Sequence, residues 1–301
     1  MANLPETNLT ANWDASESTG NLYSGITGGV PSGTVAADAH VQVWKSKVNA
    51  DHVWDASISV TRATPASMLW RNDTTLFRPS IQVIKGTYEC KLASNLNGVV
   101  TSAFHANNAK TLAISFLLTG KSKLVDSATP YLTTAFIGNP DNNYYGLWLK
   151  NASGTVTLYG YNWDGSADTV SFTNLAVDHP YVAILTHNGT NLIMSLYDAD
   201  GQVGSTQSTA SGNTTDIATV WAMCDSNQAF TEQAEVRLGE IATYNAALSG
   251  GTLTQLTTYM RDKWLAAASS GGHGKGQGGN HGGGKAIVVI SRHRRTERRR
   301  K

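Results

Sequence analysis

The chain has 301 residues, 15% of them charged, and a formal net charge of +1; that length suits one large β-domain or two smaller domains. The balance hides an asymmetry: residues 271–301 hold nine Lys or Arg and one Glu (net +8), and residues 1–270 hold 14 basic and 21 acidic residues (net −7). An acidic body excludes a broad basic nucleic-acid surface on the folded part and sets the basic tail apart.

The charged fraction is well under the usual value of about 25%. Ser, Thr, Asn and Gly take the polar positions, a mixture that suits strands and turns. The opening MANLPETN lacks the basic and apolar regions of an export signal, so the chain is read as made in a cytoplasm. No apolar run reaches the roughly 18 residues needed to span a membrane.

Residues 1–60 predict short strands between Gly-rich turns, with Trp13, Trp44 and Trp54 as core or half-buried aromatics. Residues 76–92 predict a strand pair turning around Lys85-Gly86. Thr111 to Leu118 predicts a strand with Leu112, Ile114, Phe116 and Leu118 on one face. Its other face, Thr111, Ala113, Ser115 and Leu117, is apolar enough to be partly covered as well. Tyr181 to Gly201 predicts a hairpin turning at Asn188-Gly189, since Asn-Gly between alternating runs is the strongest short hairpin signal. Cys90 and Cys224 read as buried thiols; a disulfide stays open, because no spacing argues for one.

The stretch from Glu235 to Leu265 changes period. Val236, Leu238 and Glu240 alternate with Glu235, Arg237 and Gly239, which is strand spacing. Leu253, Leu256, Met260 and Trp264 then fall at helix spacing, after a start at Ser249 to Gly251 and with Arg261 and Lys263 in the last turn. Such a strand and helix predict a clasp across the end of a sandwich.

Glu240, Tyr244, Leu248, Leu256, Tyr259, Lys263 and Trp264 together resemble the C-terminal signature of laminin-G-like, concanavalin A-like domains. LTANWDAS (9–16) and VQVWKS (41–46) resemble their opening strands. The likeness covers roughly residues 1 to 266, and its motifs mark the fold rather than any catalysis. It implies an all-β, concanavalin A-like jelly-roll sandwich of two antiparallel sheets with a short C-terminal helix. The expected division is a lectin-like domain at 1–268, a Gly-rich linker at 269–284 and a basic anchoring peptide at 285–301.

Because that superfamily includes glucanases, a carboxylate pair is the first thing to seek. Retaining glycosidases set two carboxyl groups about 5–5.5 Å apart. The nearest candidates, Glu232, Glu235 and Glu240, have the wrong spacing for one strand face. Catalysis is therefore not expected. Calcium occurs in relatives and needs six to eight oxygen ligands. Asp164, Asp198 and Asp200, or Asp141 with Asn142 and Asn143, supply no recognisable loop and read as turn formers. His40, His52, His105, His179 and His187 share no ligand spacing, so no metal and no cofactor is expected.

TVTLYGYNWDG (155–165) puts Tyr159, Tyr161 and Trp163 on one strand face, with Asn142, Asn143 and Tyr144 in a loop just upstream. This face is either a stacking platform for sugar rings or a surface covered by a second layer or another subunit. In the tail, nine glycines among residues 271–284 form a flexible tether. Ala286, Ile287, Val288, Val289 and Ile290 then form a β-prone run. Arg292, Arg294, Arg295, Arg298, Arg299 and Arg300 supply attraction to an acidic surface. Low charge, this fold and the anchoring tail resemble surface proteins of tailed bacteriophages. The expected function is a non-enzymatic virion decoration protein on capsid, neck or tail, binding host-surface glycans and other virion proteins, and homo-oligomeric without membrane insertion. The alternatives are a glycoside hydrolase or depolymerase, and a basic-tailed nucleic-acid-associated protein.

Overall fold

The computed structural model describes residues 2–266, apart from 28–29, 49–52, 56–67, 73, 75–76, 84–89, 93–108, 121–133, 138–144, 164–165, 213–220, 223 and 226–235. Strands are numbered in chain order. Among the described residues the largest sheet has nine strands. Seven run in the order β17 (Gly201–Gln202), β16 (Asn191–Asp198), β15 (Pro180–His187), β10 (Lys110–Leu118), β21 (Val236–Tyr244), β8 (Ser80–Val83) and β7 (Met68–Arg71). In addition, β18 (Gln207–Ala210) pairs with β16, and β1 (Leu9–Asp14) pairs with β21.

A five-stranded sheet runs β14 (Ala167–Thr173), β13 (Thr155–Trp163), β12 (Tyr145–Ala152), β11 (Thr134–Ile137) and β20 (Cys224–Asp225). Another runs β19 (Trp221–Ala222), β9 (Cys90–Leu92), β6 (Val53–Asp55), β5 (Val43–Lys45) and β2 (Leu22–Tyr23), and β3 (Gly25–Thr27) pairs with β4 (Val30–Ser32). The pairings are antiparallel.

Alternation along the strands builds the core. Leu112, Ile114, Phe116 and Leu118 of β10 face Leu147, Leu149, Val156 and Leu158 of β12 and β13 in one apolar cluster. Leu22 and Trp44 of the third sheet enter the same cluster. Gly160 belongs to this inward face. A Cβ there would stand 2.5 Å from Leu185 Cδ1, so Leu185 would have to shift to admit a larger residue. The chain is thus an antiparallel β-sandwich with, among the described residues, one short C-terminal helix, as expected. Trp13 and Trp44 are fully buried; the Trp54 side chain lies outside the described residues.

The other face of β10 is covered too. The helix α1 (Gly250–Trp264) lies on it, and Leu256, Met260 and Trp264 pack with Ala113, Leu117, Ala242 and Tyr244. The helix therefore lies along the outer face of the large sheet rather than across the end of the sandwich. The reason is the pair of apolar faces on β10, which need a layer on each side. Ser249 is the N-cap residue, in extended conformation, but makes no side-chain capping bond.

Two further expectations are corrected. The strand pair around Lys85-Gly86 is not a hairpin: β8 joins β7 and β21, while β9 joins β6 and β19 in another sheet. In β21, simple alternation fails at Gly239. Leu238 stands opposite Phe116 and Glu240 opposite Ser115, so Gly239 is an extra residue with no partner of its own. Such a bulge reverses which residues face inward. Val236, Leu238 and Ile241 reach the sandwich core, and Glu240 turns to the helix side.

The hairpin at Asn188-Gly189 matches its prediction, with β15 and β16 in continuous register and Gly189 at φ 96°. Asn188 Oδ1 accepts from the backbone N–H of Thr190 and Asn191, at 3.0 and 2.8 Å, and so holds the turn. The tail residues 269–301, and with them the linker and the anchoring peptide, lie outside the described residues.

Candidate functional site

Three groups of chemically capable side chains stand out: the outer face of the β11–β14 sheet, a buried polar network under α1, and a polar cluster at one end of the core.

The outer face is built by register. Across β12, β13 and β14 the rows are Lys150–Thr157–Thr173, Trp148–Tyr159–Ser171 and Gly146–Tyr161–Thr169. Tyr159 and Tyr161 alternate with the inward Leu158 and Gly160, as the sequence predicts. The two rings differ in exposure. Tyr161 is buried, 1% exposed, and its ring centroid lies 4.1 Å from that of Trp148. It faces Gly146 across the strand, where no side chain keeps it raised from the sheet. Tyr161 is therefore backing, not part of an open platform. Tyr159 packs against this pair and remains half-buried. The Trp163 side chain and residues Asn142, Asn143 and Tyr144 lie outside the described residues, as do the side chains of Cys90 and Cys224. Trp148 is the member of this cluster that the sequence reading missed. The signal was available, since Trp148 alternates with Leu147 and Leu149.

The network under α1 is centred on Glu240, which is fully buried. Its Oε1 accepts from Asn12 Nδ2 at 2.6 Å and from the Tyr259 hydroxyl at 2.9 Å. Its Oε2 accepts from Trp264 Nε1 at 2.7 Å and from Lys263 Nζ at 2.8 Å. Lys263 Nζ also donates to Asp14 Oδ2 at 2.6 Å, and Lys47 Nζ donates to the same oxygen at 2.7 Å. Glu240, Tyr259, Lys263 and Trp264, four of the seven residues that carry the sequence resemblance, thus form one hydrogen-bonded unit tying β21 to α1. A buried carboxylate with this many donors is stable where it lies. Every one of these donors belongs to the fold itself, so Glu240 ties β1, β21 and α1 together.

Burial by itself raises the Asp14 carboxyl. The charge of Lys263 and hydrogen bonds from Lys263, Lys47 and Ser16 outweigh it and hold the group at about 2. The folded state therefore binds this proton more weakly than the unfolded chain does. The stability it contributes is full above about pH 4 and disappears as pH falls toward 2. Burial raises the Tyr259 phenol far above its ordinary value, and the Glu240 charge adds to that.

At one end of the core, Lys110 and His187 stand opposite each other on β10 and β15. Both are buried, 4% and 1% exposed. Lys110 Nζ lies 4.4 Å from the centre of the Tyr145 ring, and burial lowers its amine to about 7. His187 Nδ1 accepts from the Gly189 N–H at 3.3 Å, which leaves Nε2 to donate to Ser211 O, also at 3.3 Å. That is the neutral tautomer, in line with a pKa lowered by burial and then by the Lys110 charge. Asn162 Nδ2 donates to Ser211 Oγ at 2.7 Å and closes the same end. Lys110 went unnoticed in the sequence reading, although its spacing from Leu112 and Ile114 already turns it inward.

The expected turn role of Asp198 is seen directly. Its Oδ1 accepts from the N–H of Asp200 and Gly201, at 3.0 and 3.1 Å. Among the described residues no three His, Cys, Asp or Glu side chains are grouped to hold a metal. Of the carboxylates weighed for hydrolysis, Glu240 is in the network, and Glu232 and Glu235 lie outside the described residues.

No protein-family model matches the chain, and no curated protein matches it in sequence. Several solved structures resemble it distantly. One is the Trypanosoma rangeli sialidase in complex with 2,3-difluoro-KDN, at 11% identity and TM-score 0.49, over 86% of this chain and 33% of that one. Another is domain 4 of AbnA, an extracellular arabinanase from Geobacillus stearothermophilus, in complex with arabinotriose. It is 13% identical, with TM-score 0.44, over 83% of this chain and 98% of that domain. A third is the binding domain of botulinum neurotoxin DC, at 10% identity and TM-score 0.35, over 57% of this chain and 39% of that one. The chain spans about a third of the sialidase.

Proposed function

We propose that this chain is a non-catalytic glycan-binding domain displayed on a virion surface and attached there through its basic tail. The observation that carries the glycan reading is the outer face of β12–β14. Tyr159 lies there against the Trp148–Tyr161 pair, with Ser171 on its own row and Lys150, Thr169 and Thr173 on the flanking rows. A half-exposed ring held from behind can stack on the C–H face of a sugar at small entropic cost, and hydroxyl and ammonium neighbours can meet its hydroxyls. The binding ring in this reading is Tyr159 alone among the described aromatics. The carboxylates of Asp14 and Glu240 are held by Lys263, which favours binding over hydrolysis. The tail reading rests on sequence: a Gly-rich tether, a β-prone run and an arginine cluster. Among the described residues no helix is long and apolar enough to cross a membrane.

One experiment tests both parts. The full chain is applied to an array of bacterial surface polysaccharides and, separately, mixed with assembled particles. Tyr159→Ala is expected to weaken the array signal roughly tenfold, equivalent to about 1.4 kcal/mol, with thermal stability kept. Deleting residues 271–301 is expected to leave the array signal and abolish attachment to particles. Absence of any array signal, or an unchanged one in Tyr159→Ala, refutes the glycan reading; unchanged attachment after the deletion refutes the anchor.

A further inference from the structure

The network under α1 has an outward side. A cavity of about 530 Å³ opens over it, lined by Asn12, Asp14, Lys47 and Tyr259 from the network and by Asn3, Glu6, Leu4, Leu9 and Val48 above it. We propose that this cavity is a binding site for a small neutral polyol of one or two sugar rings, separate from the outer face of β12–β14.

The walls are built rather than incidental. Gln255 of the helix donates to Asn3 O at 3.0 Å, and the Tyr244 hydroxyl donates to Pro5 O at 3.1 Å, so residues 3–5 are tied to α1 and β21. The opposite wall is tied to β1: Lys47 N donates to Asn12 O at 2.7 Å, and Ser46 Oγ accepts from Asn12 N at 3.1 Å and from Val48 N at 3.2 Å. The floor cannot shift, because Asn12, Asp14 and Tyr259 are bonded to Glu240 or Lys263. The volume falls within the range of about 300–1,000 Å³ found for small-molecule sites.

Charge and polarity select the ligand class. Lys47 would repel a cation, and Glu6, Asp14 and the nearby Glu17 would repel an anion. Lys47 Nζ uses two of its three N–H groups, on Asp14 and Glu17. The third, with the Glu6 carboxylate and the Asn3 side chain, offers both donors and acceptors. Groups that donate and accept at once, which is what sugar hydroxyls do, fit that mixture. Leu4, Leu9, Val48 and the Tyr259 ring supply an apolar strip for C–H faces. Val48 is 50% exposed, the large apolar side chain left open among the described residues, and the proposal gives it a partner.

The test is titration of the 15N-labelled full chain with methyl α-glucoside, methyl β-galactoside and N-acetylglucosamine, read from amide shifts. At least one sugar is expected to shift Lys47, Val48, Tyr259 and Glu6 with a dissociation constant in the millimolar range. Glu6→Ala and Val48→Ser, both at exposed positions outside the network, are expected to weaken it about tenfold. Tyr159→Ala is expected to leave it unchanged, which separates this site from the one proposed above. No shifts at Lys47, Val48, Tyr259 and Glu6 with any of the three sugars, or unchanged affinity in both wall variants, would sink the proposal. Equal binding of acetate or ethanolamine would show that the site does not select neutral polyols.

Discussion

Trp264→Ala is expected to lower the stability of the sandwich by about 3–5 kcal/mol, the usual cost of removing a buried Trp. The ring is 2% exposed, lies 5.0 Å from that of Phe77, and donates from Nε1 to Glu240. Its removal leaves a hole under the helix and takes one donor from a fully buried carboxylate. Gly239 makes the prediction sharper. A Cβ at Gly239 would meet Trp264 Cζ3 at 2.3 Å and Ser115 Oγ at 2.6 Å. Gly239→Ala should therefore destabilise by itself, by about 1–3 kcal/mol from overpacking, and by less once Trp264 is Ala. Urea denaturation of the four proteins measures this coupling. A loss under about 1 kcal/mol for Trp264→Ala, the range of ordinary surface changes, would remove the helix contact from the account of stability.

Lys110→Met is expected to act in the opposite direction. Burial lowers the Lys110 amine to about 7, against about 10.4 in an unfolded chain. Between these values the unfolded state binds the proton and the folded state does not, so stability rises with pH across that window. Below about pH 7 both states are charged and the folded one bears the full penalty. Met fills similar volume without a charge. At pH 7 it should stabilise the protein by about 1–4 kcal/mol, the scale found when buried ion pairs are replaced by well-packed apolar groups. The gain should shrink toward zero at pH 10. Chemical denaturation at several pH values reads both effects. A wild-type stability that is flat from pH 7 to 10, or a destabilised Lys110→Met, would contradict the assignment.

Elements with one clear period were legible before any coordinates. The hairpin at Asn188-Gly189, the two faces of β10 and the helix from Ser249 to Trp264 follow from turn chemistry and spacing that need no tertiary partner. The bulge was not legible. Gly239 reads as an ordinary outward position until Trp264, 25 positions later, comes to lie on it. The site was less legible than the fold for the same reason. Tyr159 and Tyr161 look equivalent along β13. Register alone separates them, because Tyr161 faces Gly146 and rests on Trp148 while Tyr159 stays half-open. The cavity above Asp14 draws on residues 3–14, 47–48 and 259, and no local pattern joins segments so far apart.

β21 occupies the middle of the large sheet, with β10 on one side and β8 and β1 sharing the other, yet it is the last strand of the described sandwich to be synthesised. Leu9 meets Tyr244, and Asp14 meets Glu240, across almost the whole length of the domain. While a ribosome is still making residues 120–230, β1, β8 and β10 have no central partner and present open edges to other chains. Folding of this sheet must therefore wait until β21 and the helix behind it have emerged. Contacts this distant in sequence close slowly, and crowded synthesis of many copies exposes those edges to pairing between neighbours.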